Sequence, residues 1–253
     1  MPLETRTRAR MPLEPELTLP PPFTPVRLRE VGDAFAHAIS IAAERGAGTL
    51  VYVGRFDLAE FAVVLEPDEP LAQARGAFYA GMVGLADALS AHAQPETAIT
   101  IDWPDTLCVN RGLVGGGRLA WPKGVKEDET PPWLVFGAMI RTVSMTGLEP
   151  GLNPLSTALE EEGFSDVMSN QVVESFARNF MVALDSWAES GFGAVAKNYL
   201  ERLAHESGVR RSIDDNGDLL IRRMAKPEPE RKAYVAALAK PAWLDPRTKG
   251  PRT

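Results

Sequence analysis

Residues 99–120 concentrate the side chains able to do chemistry. They run through Trp103-Pro104-Asp105, then Asn110-Arg111-Gly112, then Gly115-Gly116-Gly117-Arg118. A proline fixes a corner, a carboxylate beside it can hold a metal ion or a ribose hydroxyl, and glycines let a ligand approach backbone amides closely. Asp105 is therefore the candidate catalytic residue, its plain alternative being a turn carboxylate that caps the corner. Gly115, Gly116 and Gly117 are a candidate ligand cradle, or else a bulge or a site of close strand packing. Trp103 is a pocket wall or a core residue, and Arg118, directly after Gly117, is a candidate ligand-binding cation. Arg55, at a strand end, can meet a carboxylate or phosphate or stand solvated.

Other reactive residues point away from chemistry. Cys108, the one cysteine, lies in an apolar run with no histidine near it and reads as a packing residue, because buried thiols are inert. His37, His92 and His205 lack metal-ligand spacing, so no metal site is assigned. Glu160-Glu161-Glu162 reads as a solvated loop or helix end, and no nucleophile elbow is present.

The elements that must position these residues follow from periodicity. Phe35, Ala38, Ile39 and Ala42 predict a helix over 32–45, stopped by Gly46. Nearly continuous apolar runs at 49–53 and 61–65 predict strands covered on both faces. Apolar positions 71, 74, 78, 82, 85 and 89 predict one long amphipathic helix. A strand at 98–102 leads into the Trp-Pro-Asp corner, and strands at 106–109 and 113–120 flank the tight-turn residues 110–112. A further strand is expected at 133–140. Ser169 is a candidate N-cap for a helix carrying Val173, Phe176, Phe180, Leu184 and Trp187, closed by Gly191. A helix at about 193–205 precedes a hairpin whose turn is Asp215-Asn216-Gly217-Asp218. The order mixes α and β without βαβ alternation, which predicts an α+β fold: a mixed sheet with flanking helices plus a small C-terminal β unit.

Four segments are expected. Residues 1–29 carry Arg6, Arg8, Arg10 and Pro20-Pro21-Pro22 and few bulky apolar groups, so they read as extended or disordered. Met1 to Glu4 recur as Met11 to Glu14, a repeat with no assigned function. Residues 30–206 form the main domain, 207–225 the small β unit, and 226–253 a Pro-, Lys- and Glu-rich tail that covers the surface or moves. The net charge of −7 and pI near 5.2 argue against a nucleic-acid partner. No apolar run reaches the length of a membrane span and no secretory leader is read, so a soluble cytoplasmic protein is expected. One cysteine in 253 residues excludes a disulfide framework.

The segment from Ile99 to Ala120 resembles the part of biotin protein ligases where a strand ends in Lys-Trp-Pro-Asn-Asp and a hairpin leads to Arg-Lys-Leu-Ala-Gly-Ile-Leu. The unit Ile213-Asp-Asp-Asn-Gly-Asp-Leu-Leu220 resembles a hairpin of the same proteins, and the order of elements is similar across residues 31–223. The chain is thus similar to the biotin/lipoate A/B protein ligase family. That resemblance implies a pocket for a small carboxylate-bearing acyl group such as biotin or lipoate, with ATP and Mg²⁺ as cofactors. It implies adenylation of the carboxylate and transfer to a lysine on a biotinyl or lipoyl carrier domain, and it is compatible with a homodimer. Residues 1–29 are too few for a helix-turn-helix domain, so DNA repression is not expected.

The departures bear on activity. The family's Gly-Arg-Gly-Arg-x-Gly-Arg loop is missing, because Tyr52-Val53-Gly54-Arg55 runs almost directly into the next strand. The lysine of the Trp-Pro motif is replaced by Asp102, and the lysine of the Gly-rich strand falls on Leu113. An aliphatic side chain cannot stabilise charge developing at phosphorus. Arg118 and Lys123 are the nearby cations. Two further readings therefore stand beside an active ligase: a non-catalytic ligand-binding or assembly protein on the same fold, and an acyltransferase acting on a preformed thioester.

Overall fold

The computed structural model describes residues 17–145, 155–164, 166–224 and 228–253. The expected α+β class holds. A seven-stranded sheet runs in the order β1 (Thr24–Leu28), β2 (Thr49–Val53), β3 (Leu58–Leu65), β7 (Leu134–Arg141), β6 (Gly112–Ala120), β5 (Thr106–Val109) and β4 (Ile99–Asp102). β1 pairs parallel with β2 and every other pair is antiparallel. A second sheet of three strands comprises β8 (Val209–Ile213), β9 (Leu219–Arg223) and β10 (Glu230–Lys232).

Helices cover most of both faces of the large sheet. α1 (Ala34–Arg45) starts at Asp33, whose carboxylate accepts from the Ala36 amide, and stops at Gly46 with φ +74°. Its buried Ala34, Ala38 and Ala42 recur every four residues, and these small side chains seat the helix against Val51, Val53, Ala62, Val64 and Val135. The opposite face carries α3 (Ala77–Ser90) and α4 (Ser169–Ser190), with α5 (Phe192–Glu201) beside them. Phe136 from the sheet stacks on Phe176 of α4 at 5.5 Å and 9°, and Phe176 on Phe180 at 5.2 Å. A Cβ on Gly84 of α3 would lie 2.9 Å from the Phe180 Cα, so the two helices cross almost backbone to backbone.

Several expectations change. The single helix over 71–89 is two, α2 (Leu71–Ala74) and α3, broken at Arg75-Gly76, where a Cβ would press on Trp187 and Phe192. α3 is not a half-exposed stripe: twelve of its fourteen residues are buried, because α4 and α5 cover the side that solvent was expected to take. Ser169 is the first helical residue rather than the cap, and its hydroxyl donates to the Arg55 carbonyl. The helix expected at 193–205 ends at Glu201.

Order also begins earlier than residue 30. Leu17 and Phe23 are buried and β1 forms a sheet edge, since Val26 and Leu28 pack under α1. The arginines at 6, 8 and 10 and the repeat of Met1 to Glu4 lie outside the described residues. Of the two alternatives for the tail, its described residues 228–253 cover the surface of the rest of the chain. β10 adds a third strand to the small sheet, the short helix α6 (Tyr234–Leu238) buries Tyr234, and Trp243 is fully buried. The Tyr79 hydroxyl donates to the Gly217 carbonyl and the Tyr234 hydroxyl to the Arg75 carbonyl, which joins the small sheet to α3.

Candidate functional site

The Trp103-Pro104-Asp105 corner lies between β4 and β5, and its two functional side chains part company. Trp103 turns to the helical side, where its indole N–H donates to the Tyr79 hydroxyl at 3.2 Å, and Tyr199 donates to the Pro104 carbonyl at 2.8 Å. Asp105 is 1% exposed and meets the C-terminal segment. Its Oδ2 accepts from the Ala242 amide at 3.0 Å and its Oδ1 from the Thr106 hydroxyl at 3.1 Å. Burial pushes the Asp105 carboxyl up to about 6 against these two hydrogen bonds. Both Asp105 oxygens are thus occupied by the chain itself.

The three glycines are packed in the same way. A Cβ on Gly115 would strike the Met139 carbonyl, one on Gly116 the Asp105 carbonyl and the Trp243 indole, and one on Gly117 the Met82 sulfur. The pairing of β5 with β6 shifts register at Leu107/Cys108, which is where the run of small residues absorbs a bulge. Trp243 lies across this strand. Its indole N–H donates to the Gly117 carbonyl at 2.9 Å, and its ring packs with Leu58, Met139, Leu113 and Leu244. Leu113 therefore joins an apolar floor already covered by an aromatic ring.

A strap of residues 241–252 holds that ring in place. Leu244 bridges to Pro251, the Asp245 amide donates to the Gly250 carbonyl, and the Arg252 amide donates to the Trp243 carbonyl. From the sheet, the Arg141 guanidinium donates to the carbonyls of Pro251 at 2.7 Å, Arg252 at 3.1 Å and Thr157 at 3.3 Å. Burial lowers the pKa of Arg141, and three carbonyls replace the water it has lost.

Further along the same face lies a charged cluster. Arg118, two residues from Gly116 and so on the same side of β6, stands over the Phe35 ring at 4.2 Å and reaches Asp33 at 3.4 Å. Its Nε is buried with no hydrogen-bond partner among the described residues. Glu60, 3% exposed in the middle of β3, accepts from the Ala34 amide at the start of α1 at 2.9 Å. Burial raises the Glu60 carboxyl and lowers the Arg118 guanidinium, while the Coulomb attraction between them opposes both shifts. Arg55 is half-buried and paired with Asp57, its Nε 3.0 Å from Oδ1. Only residues 54–57 join β2 to β3, a connection too short for the Gly-Arg-rich loop that the sequence comparison already finds missing.

Sequence reasoning missed Glu60, Arg141 and Trp243. A single carboxylate inside the apolar run 58–65 was a legible signal for Glu60, because an unpaired charge is not carried into a strand core without purpose. Nothing local marks Trp243, which sits among Pro, Lys and Asp. Cys108 is buried, its thiol pushed up to about 12 by burial, with the Asp102 carboxylate 3.7 Å away, as fits a packing residue. Among the described residues no three His, Cys, Asp or Glu side chains converge on a metal position, and no helix is long and apolar enough to cross a membrane.

Comparison with known proteins accounts for this architecture. No curated protein matches the chain at a significant level. A biotin protein ligase-like protein of unknown function from Silicibacter sp. is 27% identical with a TM-score of 0.75, over 88% of this chain and 99% of that one. The biotin protein ligase of Aquifex aeolicus in complex with biotin and ATP is 14% identical with a TM-score of 0.59, over 83% and 98%. That of Leishmania major in complex with biotinyl-5-AMP is 14% identical with a TM-score of 0.53, over 83% and 99%. These last two share the fold. The model of the biotin/lipoate A/B protein ligase family matches residues 19–201, which stop short of the strap and the small sheet, and with most of its length so matched the chain belongs to that family.

Proposed function

We propose that this chain is a binding or assembly protein on the ligase fold and does not adenylate a carboxylate. The observation that carries the reading is the strap: Trp243 covers Gly116 and Leu113, and Ala242 takes an oxygen of Asp105. A ligand laid on this strand would have to displace a fully buried indole. The residues present also do not fit a nucleotide with Mg²⁺. Adenylation needs cations where negative charge develops at phosphorus, and here Leu113 is aliphatic, Arg55 is paired with Asp57, and Arg118 is committed to Asp33 and Phe35.

A second reading rests on the unpartnered Arg118 Nε. A buried guanidinium with a spare donor suits a carboxylate-bearing ligand, admitted if the strap lifts. The two readings separate in one experiment. ATP–pyrophosphate exchange is measured with biotin, lipoate and octanoate for the intact chain, for Trp243→Ala and for a chain ending at Lys240. No exchange in any of the three is expected. Exchange in any of the three would overturn the reading without adenylation, whereas saturable binding of biotin, lipoate or octanoate only after strap removal, without exchange, would establish the second.

A further inference from the structure

A cavity of about 990 Å³ opens on the helical side of the molecule, away from Asp105. It lies where the β3–α2 connection, the end of α4, the start of α5 and the β8–β9 turn converge. The volume falls within the range of small-molecule sites. Its floor is apolar and aromatic, with Leu134, Leu184, Trp187, Phe192 and Tyr234. Trp187 and Phe192 face each other with ring centroids 5.8 Å apart.

The rim is of one sign. Glu66, Asp68 and Glu69 stand on the β3–α2 connection and Asp215 on the β8–β9 turn, about 150 residues away in sequence but on the same cavity. None of the four makes an ion pair with another described residue, and no Lys, Arg or His is among the described residues that line the cavity. The nearby Arg75 is turned aside, paired with Glu127 and packed over Trp121. The Tyr234 hydroxyl is spent on the Arg75 carbonyl. The side chains of the wall therefore present carboxylate acceptors above aromatic faces. An anion would meet repulsion at the rim, whereas a cation gains from the carboxylates and from the aromatic rings together.

We propose that this cavity binds a small amphipathic organic cation, with its ammonium or guanidinium group at the Glu66–Glu69 and Asp215 rim and its apolar body on Trp187 and Phe192. The proposal is independent of any use of the sheet face beside Asp105. A matched pair of probes tests it on the full chain, 4-phenylbutylamine and 4-phenylbutyrate, which share a body and differ in the sign of the head group. Tryptophan emission excited at 295 nm reports occupancy. Saturable binding of the amine is expected, with no saturation by the carboxylate and with loss of the response in Trp187→Phe. Because exposed ion pairs are individually weak, Glu69→Gln with Asp215→Asn should weaken amine binding about tenfold, and raising the salt should weaken it further. Equal binding of the two probes would reduce the cavity to an unselective apolar hollow. Failure of the amine to saturate, or an undiminished affinity in the carboxylate variant, would overturn the proposal.

Discussion

Asp105 is the residue whose setting differs most from its free chemistry. Burial raises its carboxyl from 3.8 to about 6, so between those values the native chain holds a proton that the unfolded chain has released. Its contribution to stability is therefore fully present below about pH 4 and is lost as pH rises through 6. Asparagine keeps the acceptor for the Ala242 amide and removes the buried charge. Urea titrations of Asp105→Asn should show the variant gaining on the parent between pH 4 and 7, by up to about 3 kcal/mol at about 1.4 kcal/mol per pKa unit. Parallel curves across that range would mean that Asp105 is ionised at little cost. Glu60 is shifted in the same direction and remains in both proteins, so it does not enter the difference. Trp243→Ala removes a fully buried ring and should cost about 3–5 kcal/mol by the same titrations at fixed pH.

Among the elements, the strap and the α3–α4 crossing make the sharpest claims. Residues 241–252 are held mainly by hydrogen bonds from Arg141 and by the Trp243 ring. Arg141→Met keeps the aliphatic stem and removes the donors. Hydrogen exchange is expected to quicken in residues 241–252 while β3 and β7 keep their protection, since local opening follows the local interactions. Uniform protection would mean that the ring alone secures the strap. At the helix crossing, Gly84→Val puts branched carbon where Phe180 backbone stands 2.9 Å from a Cβ, so thermal unfolding should show at least 1–3 kcal/mol of destabilisation, about the cost of overpacking. The long helix over 71–89 was legible as apolar spacing, but its break at Gly76 was not, because the reason is the arrival of Trp187 and Phe192 from far along the chain.

At the scale of the whole molecule, Leu219 and Ile221 of the small sheet and Tyr234 and Leu238 of α6 share one core with the large sheet. Tyr234 is stacked on Tyr79 at 4.8 Å and bonded to Arg75, while Trp243 lies on the large sheet. With both ends of the C-terminal region tied to the main domain, calorimetry should show one cooperative transition. A separate low-temperature transition assigned to residues 207–253 would show that these segments fold apart.

By itself the sequence determined the fold class, most strand positions and the family. Those properties rest on local patterns: nearly continuous apolar runs, the proline corner at 103–105, and the hairpin chemistry at 110–112 and 215–218. It also singled out Arg55, Trp103, Asp105, the three glycines and Arg118 as candidate site residues. Only the tertiary structure decided what they face. A side chain's direction across a strand and the segment that packs against it depend on contacts between residues far apart in the chain. Asp105 and Gly116 meet residues 242 and 243, over a hundred positions away, while Trp103 turns to the opposite side. The occupied sheet face and the acidic cavity both arise from such long-range meetings, which leave no periodic mark on the amino-acid order.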